Sequence, residues 1–444
     1  AQHLVAMAAM DDLDADGVFD LVRGAMPFRD LTRSTFESVL DMLTGRYPSD
    51  DFAELRPRLV WDRSTGSITP RSNARILAVT NPGTIPDRGL YTVSLPEGGR
   101  VGELDEEMVY ESRPGETFVL GSTTWRIEDI SHDRVTVTPA PGVPATRMPF
   151  WHGDAPGRPV ELGRAVGAFT RTVAALPTDE AVELLRTTYR LDPFAAQNLV
   201  TFITDEHDAT GTVPTDRTIV VQRFRDEIGD WRIVVLSPFG GRVHAPWALA
   251  IRNRYRNSSG GSVDVIWSDD GIVLRFPDID TPPDVSIVHI EPDEIENAVI
   301  DEVGDTALFT SKFRESAARA LLLPRRRPGT RTPLWLQRRK AANLLEVTRG
   351  YGSFPVMLET YREVLQDHFD VPALVSLLTD IGARRTRVVE VDTAGPSPFA
   401  SSLMFDFIAS FMYEYDAPVA ERRATALTLD RSLLAELLGE PEFR

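Results

Sequence analysis

The strongest chemical signal in the sequence is a basic segment between Lys312 and Lys340. It holds ten lysines and arginines against one acid, Glu315, and carries a charge of +9 in a chain whose net charge is -18. Guanidinium groups pair well with phosphate oxygens, and prolines stiffen a loop and reduce the entropy lost on binding. The segment predicts contacts to a nucleic-acid backbone from Arg325, Arg326, Arg327 and Arg331. An equally good interpretation is that these arginines neutralise acids of the same chain or dock another domain.

A second candidate site lies in Met148-Pro-Phe-Trp-His-Gly-Asp154, where Trp151 and His152 stand between a proline and a glycine. A tryptophan in such a loop can stack on a nucleic-acid base, an interaction worth about 1–3 kcal/mol per base. The alternative is that this tryptophan fills the end of a β-barrel. The residue pattern alone leaves both interpretations open.

Several other kinds of site have no support in the sequence. The absence of cysteine excludes disulfides and thiolate chemistry, and the absence of a Gly-Lys dipeptide excludes the phosphate-binding loop of an ATPase. Seven scattered histidines form no His-Glu-x-x-His motif, so no metal site is expected. No apolar run reaches the roughly 18–20 residues that cross a bilayer, which predicts a cytoplasmic protein. Whether the chain is an enzyme stays undecided from these residues.

The elements that must position these residues change character along the chain. Residues 1–89 show three helical patterns in close succession and then a hairpin around Arg63-Ser-Thr-Gly66, the order of a winged helix. Asp14 or Asp16 is a candidate helix cap, and Gly45 a candidate helix stop. Small helical units of this kind also serve as protein-docking modules, which is the competing interpretation.

The rest of the chain predicts two further parts. Residues 90–160 alternate apolar and polar residues with a period of two, which predicts a small β-barrel-like unit or a sandwich. Residues 161–444 mix helical patterns with two strand pairs and become mainly helical after Asp293. The predicted fold class is therefore α+β and multidomain: a winged helix, a barrel-like unit and a large mixed α/β region that is mainly helical.

Taken in order, several motifs resemble those of the large helicase-related (Lhr) proteins of helicase superfamily 2. The resemblance covers nearly the whole chain. It rests on Phe36–Pro48, Gly83–Gly89, Arg100–Glu107, Pro149–Asp154, Leu162-Gly-Arg164, Gly241-Arg-Val-His-Ala-Pro-Trp247, Trp267-Ser-Asp-Asp-Gly271, Phe313–Arg319, Pro324–Pro328 and Tyr361–Asp367.

This resemblance implies the C-terminal portion of such a helicase, its winged helix and helicase-associated domain, without the two RecA-like motor domains. The opening within an apolar helical pattern agrees with a piece of a longer protein. ATP and magnesium would then be bound by the motor domains, and no cofactor is expected on this chain. The implied activity is 3′-to-5′ translocation on single-stranded DNA with unwinding of DNA or RNA:DNA hybrids, in DNA repair.

The family also implies nucleotide contacts from an apolar side chain and a tryptophan, which correspond here to Ile85 and Trp151. The complete set of predicted nucleic-acid contacts is Ile85, Arg88, Trp151, His152, Arg325, Arg326, Arg327 and Arg331. Two competing hypotheses remain. One is a nuclease or DNA glycosylase attached to a helicase, and the other is a protein-interaction scaffold.

Overall fold

The computed structural model describes residues 1–47, 55–81, 83, 90–105, 108–109, 112–120, 123–131, 134–141, 143, 157–226, 229–259, 261, 263–276, 279, 281–323 and 334–404. These residues divide into two compact units. Unit 1 takes its residues from Ala1–Gly153 and Asp305–Glu363, and unit 2 from Asp154–Gly304 and Val364–Arg444. The predicted domain boundaries after residues 89 and 160 stay predictions.

Unit 1 begins with the predicted winged helix. Its elements are α1 (Gln2–Ala8), β1 (Leu13–Asp14), α2 (Ala15–Arg23), α3 (Arg33–Thr44), β2 (Leu59–Trp61), β3 (Ser67–Pro70) and α4 (Ala74–Thr80). The three strands pair antiparallel in the order β1-β3-β2, with Leu13 opposite Ile68 and Val60 opposite Thr69. The β2–β3 turn, residues 62–66, is the wing.

Local sequence explains the ends of these helices. Asp14 caps α2 by accepting a hydrogen bond from the backbone N–H of Gly17 at 2.8 Å, and Thr32 caps α3 through the N–H of Thr35. Gly45 ends α3 in the left-handed conformation, with φ of 85°, which costs glycine little. Phe36, Leu40 and other apolar residues of α3 are buried, so packing holds the helix on the small sheet.

The second part of unit 1 is a five-stranded sheet made of β4 (Leu90–Ser94), β5 (Arg100–Asp105), β6 (Thr117–Leu120), β7 (Thr123–Ile130) and β8 (Arg134–Pro139). The strand order is β5-β4-β8-β7-β6, so β5 and β6 are edges. The prediction of a barrel-like unit is therefore not supported, because no strand pairing among the described residues closes this sheet. The sheet curls enough for the side chain of Leu120 on β6 to lie over Gly102 on β5. The alternation of apolar and polar residues predicts strands, but it does not say whether the first and last strands of a sheet pair.

Three helices from later in the chain complete unit 1: α10 (Ala307–Arg319), α11 (Leu334–Thr348) and α12 (Pro355–Arg362). Around α12, the rings of Tyr351 and Phe354 pack edge-on against Tyr47, at 5.3 Å and 5.0 Å between centroids. Arg58 also donates to the carbonyl of Leu321 at 3.4 Å. These contacts join residues 305–363 to the winged helix.

Unit 2 is built on a second five-stranded sheet. Its strands are β9 (Thr218–Arg225), β10 (Trp231–Leu236), β11 (Asp264–Ser268), β12 (Gly271–Phe276) and β13 (Arg387–Asp392). The order is β11-β12-β10-β9-β13, with both predicted hairpins antiparallel and β13 parallel to β9. The sequence analysis placed β13 in a helical region. A single parallel edge strand is not preceded or followed by a hairpin turn, so the local sequence does not mark it.

The helices of unit 2 are α5 (Val160–Ala174), α6 (Thr178–Thr187), α7 (Pro193–Thr210), α8 (Gly241–Ser259), α9 (Ile295–Val303) and α13 (Val371–Gly382). The middle of β9, β10 and β12 is buried on both faces, which explains their continuous apolar runs. Gly163 and Gly167 let α5 approach the sheet closely. A Cβ at either residue would lie 2.3 Å from the backbone of Pro238 or Asp216.

Candidate nucleic-acid interface

All eight predicted nucleic-acid contacts lie outside the described residues. Ile85 and Arg88 fall between α4 and β4, Trp151 and His152 between β8 and α5, and Arg325 to Arg331 between α10 and α11. Their contacts to a strand therefore stay predictions. What the structure places are the elements that flank them, together with further polar residues that sequence reasoning did not single out.

The winged helix presents α3 and the wing, the two parts that lie on nucleic acid in proteins of this fold. Ser34 and Thr35 are exposed in the first turn of α3. In the wing, Asp62 accepts hydrogen bonds from the backbone and hydroxyl of Ser64, at 2.8 Å and 2.6 Å, and these bonds lower the pKa of its carboxyl. The wing is thus an ordered turn.

Three arginines of the winged helix pair with carboxylates of the same unit. Asp41, whose side chain is nearly buried, accepts from both Arg46 and Arg63. The guanidinium of Arg63 also lies 4.3 Å from the ring centre of Trp61, within the range of a cation–π contact. Arg33 pairs with Glu37 at 2.8 Å and also with Asp16. These pairs leave little local excess of positive charge.

In unit 2, Asp269 joins three segments of the chain. One of its oxygens, Oδ1, accepts from the backbone N–H of Arg158 at 2.7 Å and from that of Gly241 at 2.8 Å. Gly241 is the first residue of α8, so the carboxylate also sits where the positive end of the helix dipole favours an anion. We call Asp269 and the residues hydrogen-bonded around it the Asp269 cluster; it holds the β11–β12 turn against the start of α8.

His244 is the buried centre of the Asp269 cluster. Its Nδ1 lies 2.8 Å from the carbonyl of Ser268, and its Nε2 lies 2.9 Å from the hydroxyl of Ser237. Burial lowers the pKa of His244 to about 4, so the ring is neutral at physiological pH. Nδ1 then donates to the carbonyl and Nε2 accepts from the hydroxyl. Since Ser237 and His244 are both buried, their arrangement supports the fold and offers no exposed nucleophile.

Arg158 ties the segment before α5 into the same cluster. Its guanidinium donates to the carboxylate of Asp270 at 2.7 Å and to the carbonyl of Pro238 at 3.3 Å. Gly240, with φ of 94°, makes this approach possible, because a Cβ there would lie 2.1 Å from the carbonyl oxygen of Arg158. The chain is therefore fixed at residue 158, six positions after the predicted contact His152.

The Asp269 cluster explains motifs that carried the family resemblance without a stated role. Gly241-Arg-Val-His-Ala-Pro-Trp247 and Trp267-Ser-Asp-Asp-Gly271 are distant in sequence but meet through Asp269 and His244. Sequence reasoning missed both residues as partners. The signal that could have found them is the pairing of a polar residue with glycine within each motif.

The described residues provide neither a metal site nor a membrane-spanning helix. No group of three or more histidine, cysteine, aspartate or glutamate side chains stands close enough together there to hold a metal ion. Among those same residues, no helix combines the length and the apolar character needed to span a bilayer.

Family models match both ends of this architecture. Residues 1–147 match the model described as "Large helicase-related protein, winged helix domain", and residues 213–400 match "DEAD/H associated". The fold and these matches define the class: a winged helix joined to the accessory domain of a DEAD/H-type helicase.

Relatives make the assignment more specific. The chain is 56% identical over 449 residues to "Lhr helicase/ probable uracil glycosylase" of Mycolicibacterium smegmatis, covering all of this chain and 30% of that protein. It is 51% identical to "Lhr helicase/uracil glycosylase" of Escherichia coli, covering 99% of this chain and 29% of the relative. The chain thus spans less than a third of these relatives.

A solved structure is similar as well. The "Structure of Mycobacterium smegmatis helicase Lhr bound to ssDNA and AMP-PNP" matches with 49% identity and a TM-score of 0.69, over 90% of this chain and 47% of that one. The chain belongs to the Lhr family, and it corresponds to the winged-helix and DEAD/H-associated portion of such a helicase. The resemblance seen in the sequence is confirmed.

Proposed function

We propose that this chain is the nucleic-acid-binding and coupling portion of an ATP-dependent 3′-to-5′ DNA helicase that acts in DNA repair in the cytoplasm. The observation that carries the proposal is the 49% identity, over 90% of the chain, to a helicase whose structure is titled as bound to single-stranded DNA. In this proposal the chain grips the strand while motor domains supply the ATP-driven steps. RNA:DNA hybrids are a proposed second substrate.

ATP and magnesium would be bound by the motor domains. This chain has no Gly-Lys dipeptide and therefore no phosphate-binding loop of the P-loop type, so no step of nucleotide hydrolysis is assigned to its residues. What its residues supply is a rigid surface. The capped helices within unit 1 and the Asp269 cluster within unit 2 each keep their own unit in one geometry, which reduces the entropy lost on binding a strand.

Trp151 and His152 are the proposed stacking pair, with Ile85 as an apolar contact to a neighbouring nucleotide. The remaining proposed contacts are phosphate contacts from Arg88, Arg325, Arg326, Arg327 and Arg331. Stacking accepts any base, because every base has a flat π-face, whereas arginines bind the backbone without reading sequence. Together they suit a protein that must move along a strand of any sequence.

The test is a fluorescence-anisotropy titration of a short labelled single strand at two salt concentrations. We expect Trp151→Ala to weaken binding roughly tenfold, in line with about 1–3 kcal/mol per stacked base. Phe194→Ala is the matched control, since it removes an aromatic ring that is 82% exposed in unit 2, and it is expected to bind like the wild type. A labelled RNA:DNA hybrid in parallel tests the second substrate.

Other outcomes would identify the competing functions. No strand binding even at low salt would contradict the proposal and favour a protein-interaction scaffold. Cleavage or base removal from a uracil-containing strand in the absence of ATP would instead identify an enzyme. The names of the two relatives that include a glycosylase describe whole proteins, and this chain covers less than a third of each.

A further inference from the structure

Six arginines of unit 2 gather at the end of its sheet where β9 and β13 begin. Two come from one side of α5, one precedes β9, and three lie between the end of α13 and the start of β13. We call them the arginine cluster: Arg164, Arg171, Arg217, Arg384, Arg385 and Arg387. None of them belongs to the basic segment or to the predicted nucleic-acid contacts, and only Arg164 lies in a motif that carried the family resemblance.

Asp380 holds the first part of the cluster together. Its Oδ1 accepts from Nε of Arg385 at 2.7 Å, and its Oδ2 lies 3.6 Å from Nη2 of Arg164. Arg164 also lies over the ring of Phe239, with its guanidinium carbon 5.3 Å from the ring centre. One carboxylate thus positions two guanidiniums from different elements.

Asp216 does the same for the second part. Arg171 binds it through two nitrogens, at 2.8 Å and 3.2 Å, and this hydrogen bonding raises the pKa of the guanidinium. Nε of Arg217 lies 3.7 Å from the same carboxylate. The backbone N–H of Arg387 donates to the carbonyl of Arg217 at 2.9 Å, which brings both halves into one surface.

The positive charges of the cluster face solvent, whereas its negative charges lie mostly beneath them. The side chains of Asp216 and Asp380 are 16% and 20% exposed, whereas the four arginines that pair with them are 41–68% exposed. Arg384 and Arg387 are exposed and form no ion pair with the described residues. Six arginines over two aspartates leave a net charge of +4. An anion that approaches this surface meets guanidiniums before it meets carboxylates.

Arg384 adds an independent observation. It follows α13 in the left-handed conformation, with φ of 58°, a position that favours glycine at helix ends. The backbone N–H of Arg384 donates to the carbonyl of Ile381 at 2.9 Å. The backbone N–H of Arg385 donates to the carbonyl of Asp380 at 2.8 Å, so the turn is fixed. The backbone that carries Arg384 is therefore held in one conformation beside Arg385, which lowers the cost of ordering this part of the cluster on binding.

We propose that the arginine cluster is a second phosphate-binding surface of this chain, which contacts the backbone of a nucleic-acid strand. The inference rests on the proposed function and extends it to a face that carries none of the contacts predicted from the sequence. Arg164 and Arg171 are two turns apart on α5, about 10.5 Å, so the surface reaches more than one phosphate of a strand. Guanidinium forks match phosphate oxygens, and the fixed backbone lowers the cost of ordering them.

The experiment compares Arg384→Gln/Arg387→Gln with Arg186→Gln/Arg190→Gln by anisotropy over a series of salt concentrations. The control pair removes the same charge from unit 2, and Arg190 matches Arg384 in being an exposed arginine with φ of 61°. We expect the cluster variant to bind a labelled oligothymidine about fivefold more weakly. Its salt slope should fall by up to about 1.4, since each of the two lost phosphate contacts contributes about 0.7. The control variant should bind like the wild type.

Equal binding by wild type and cluster variant, with Trp151→Ala weakened as expected, would overturn this inference and leave the proposed function intact. The same holds if both arginine variants weaken binding equally, because the effect would then be one of total charge. A cluster variant that binds strands normally but no longer associates with an acidic protein would assign the surface to a protein partner instead. A wild-type chain that binds no strand would contradict both proposals.

Discussion

Unit 2 contains two groups of polar residues built on opposite principles. In the Asp269 cluster, Ser237 and His244 are buried and hydrogen-bonded to each other, and Asp269 is satisfied by two backbone donors. In the arginine cluster, the guanidiniums are exposed and outnumber the acids that hold them. The first group completes its interactions inside the protein, whereas the second leaves positive charge directed outward.

This difference separates structural from binding roles without reference to motifs. A buried polar group that loses its partner costs stability, because water cannot replace the lost hydrogen bond. An exposed cation that loses its charge costs little stability but changes what the surface attracts. Substitutions in the Asp269 cluster should therefore change unfolding, and those in the arginine cluster should change strand binding.

The largest effect is expected from Asp269→Ala, which leaves the N–H groups of Arg158 and Gly241 without their acceptor. We expect the free energy of unfolding to fall by about 3 kcal/mol, the upper range for hydrogen bonds to a charged group. Urea unfolding followed by circular dichroism measures this. Asp264→Ala is the control on the same hairpin; its carboxylate is 59% exposed and should matter by less than about 1 kcal/mol. A similar loss for both variants would contradict the structural role of the cluster.

A pH-dependent effect of intermediate size is expected from His244. Burial lowers its pKa from 6.5 to about 4, so the unfolded chain binds a proton below pH 6.5 that the folded protein does not. Its contribution is complete above about pH 6.5 and is lost as the pH falls towards 4. Between pH 6.5 and pH 5 the loss should be roughly 2 kcal/mol.

Unfolding of wild type and His244→Gln at both pH values isolates this contribution from those of other groups. The variant should be less stable than the wild type near neutral pH but should lack this additional loss on acidification. His207→Gln is the control, because it removes an exposed histidine of α7 and leaves the Asp269 cluster untouched. An unchanged pH dependence in His244→Gln would show that the histidine is not held neutral by the fold.

Strand binding should become tighter when the acids beneath the arginine cluster are neutralised. Asp216→Asn/Asp380→Asn keeps the side-chain shapes and frees the guanidiniums that these carboxylates hold, so we expect binding to tighten about fivefold, or roughly 1 kcal/mol. Asp205→Asn/Asp208→Asn makes the same charge change on the exposed surface of α7 and should have a smaller effect. An equal gain in affinity from both double variants would show that the effect comes from total charge and not from the arginine cluster. Because the expected result is tighter strand binding, a variant that simply unfolds cannot produce it.

The smallest effect should come from Arg384→Gly. Glycine adopts φ of 58° without the steric cost of a side chain, so the variant should gain up to about 1 kcal/mol of stability while losing about twofold in strand affinity. Arg190→Gly should show the same gain in thermal unfolding without the loss in binding. If both glycine variants keep full affinity, Arg384 is not a strand contact.

Much of the local structure followed from the sequence. The caps at Asp14 and Gly45, the wing hairpin and the strand pairs of unit 2 were predicted, because each depends on residues a few positions apart. The barrel-like unit is not supported by the described strands and β13 was missed, because both features depend on which strands pair across the chain. The predicted contacts at Ile85, Trp151 and the 325–331 arginines remain predictions.

By itself, the sequence determined the winged-helix order, the absence of a phosphate-binding loop and, through its motifs, membership of the Lhr family. Only the tertiary structure brought Asp269 beside Gly241, joined residues 305–363 to the winged helix, and gathered six dispersed arginines above two aspartates. The reason is that the sequence gives only the order of the charged residues, whereas the electrostatic field near a ligand depends on the distances between them in space. A chain with a net charge of -18 can therefore still bring together six arginines and two aspartates whose summed charge is +4.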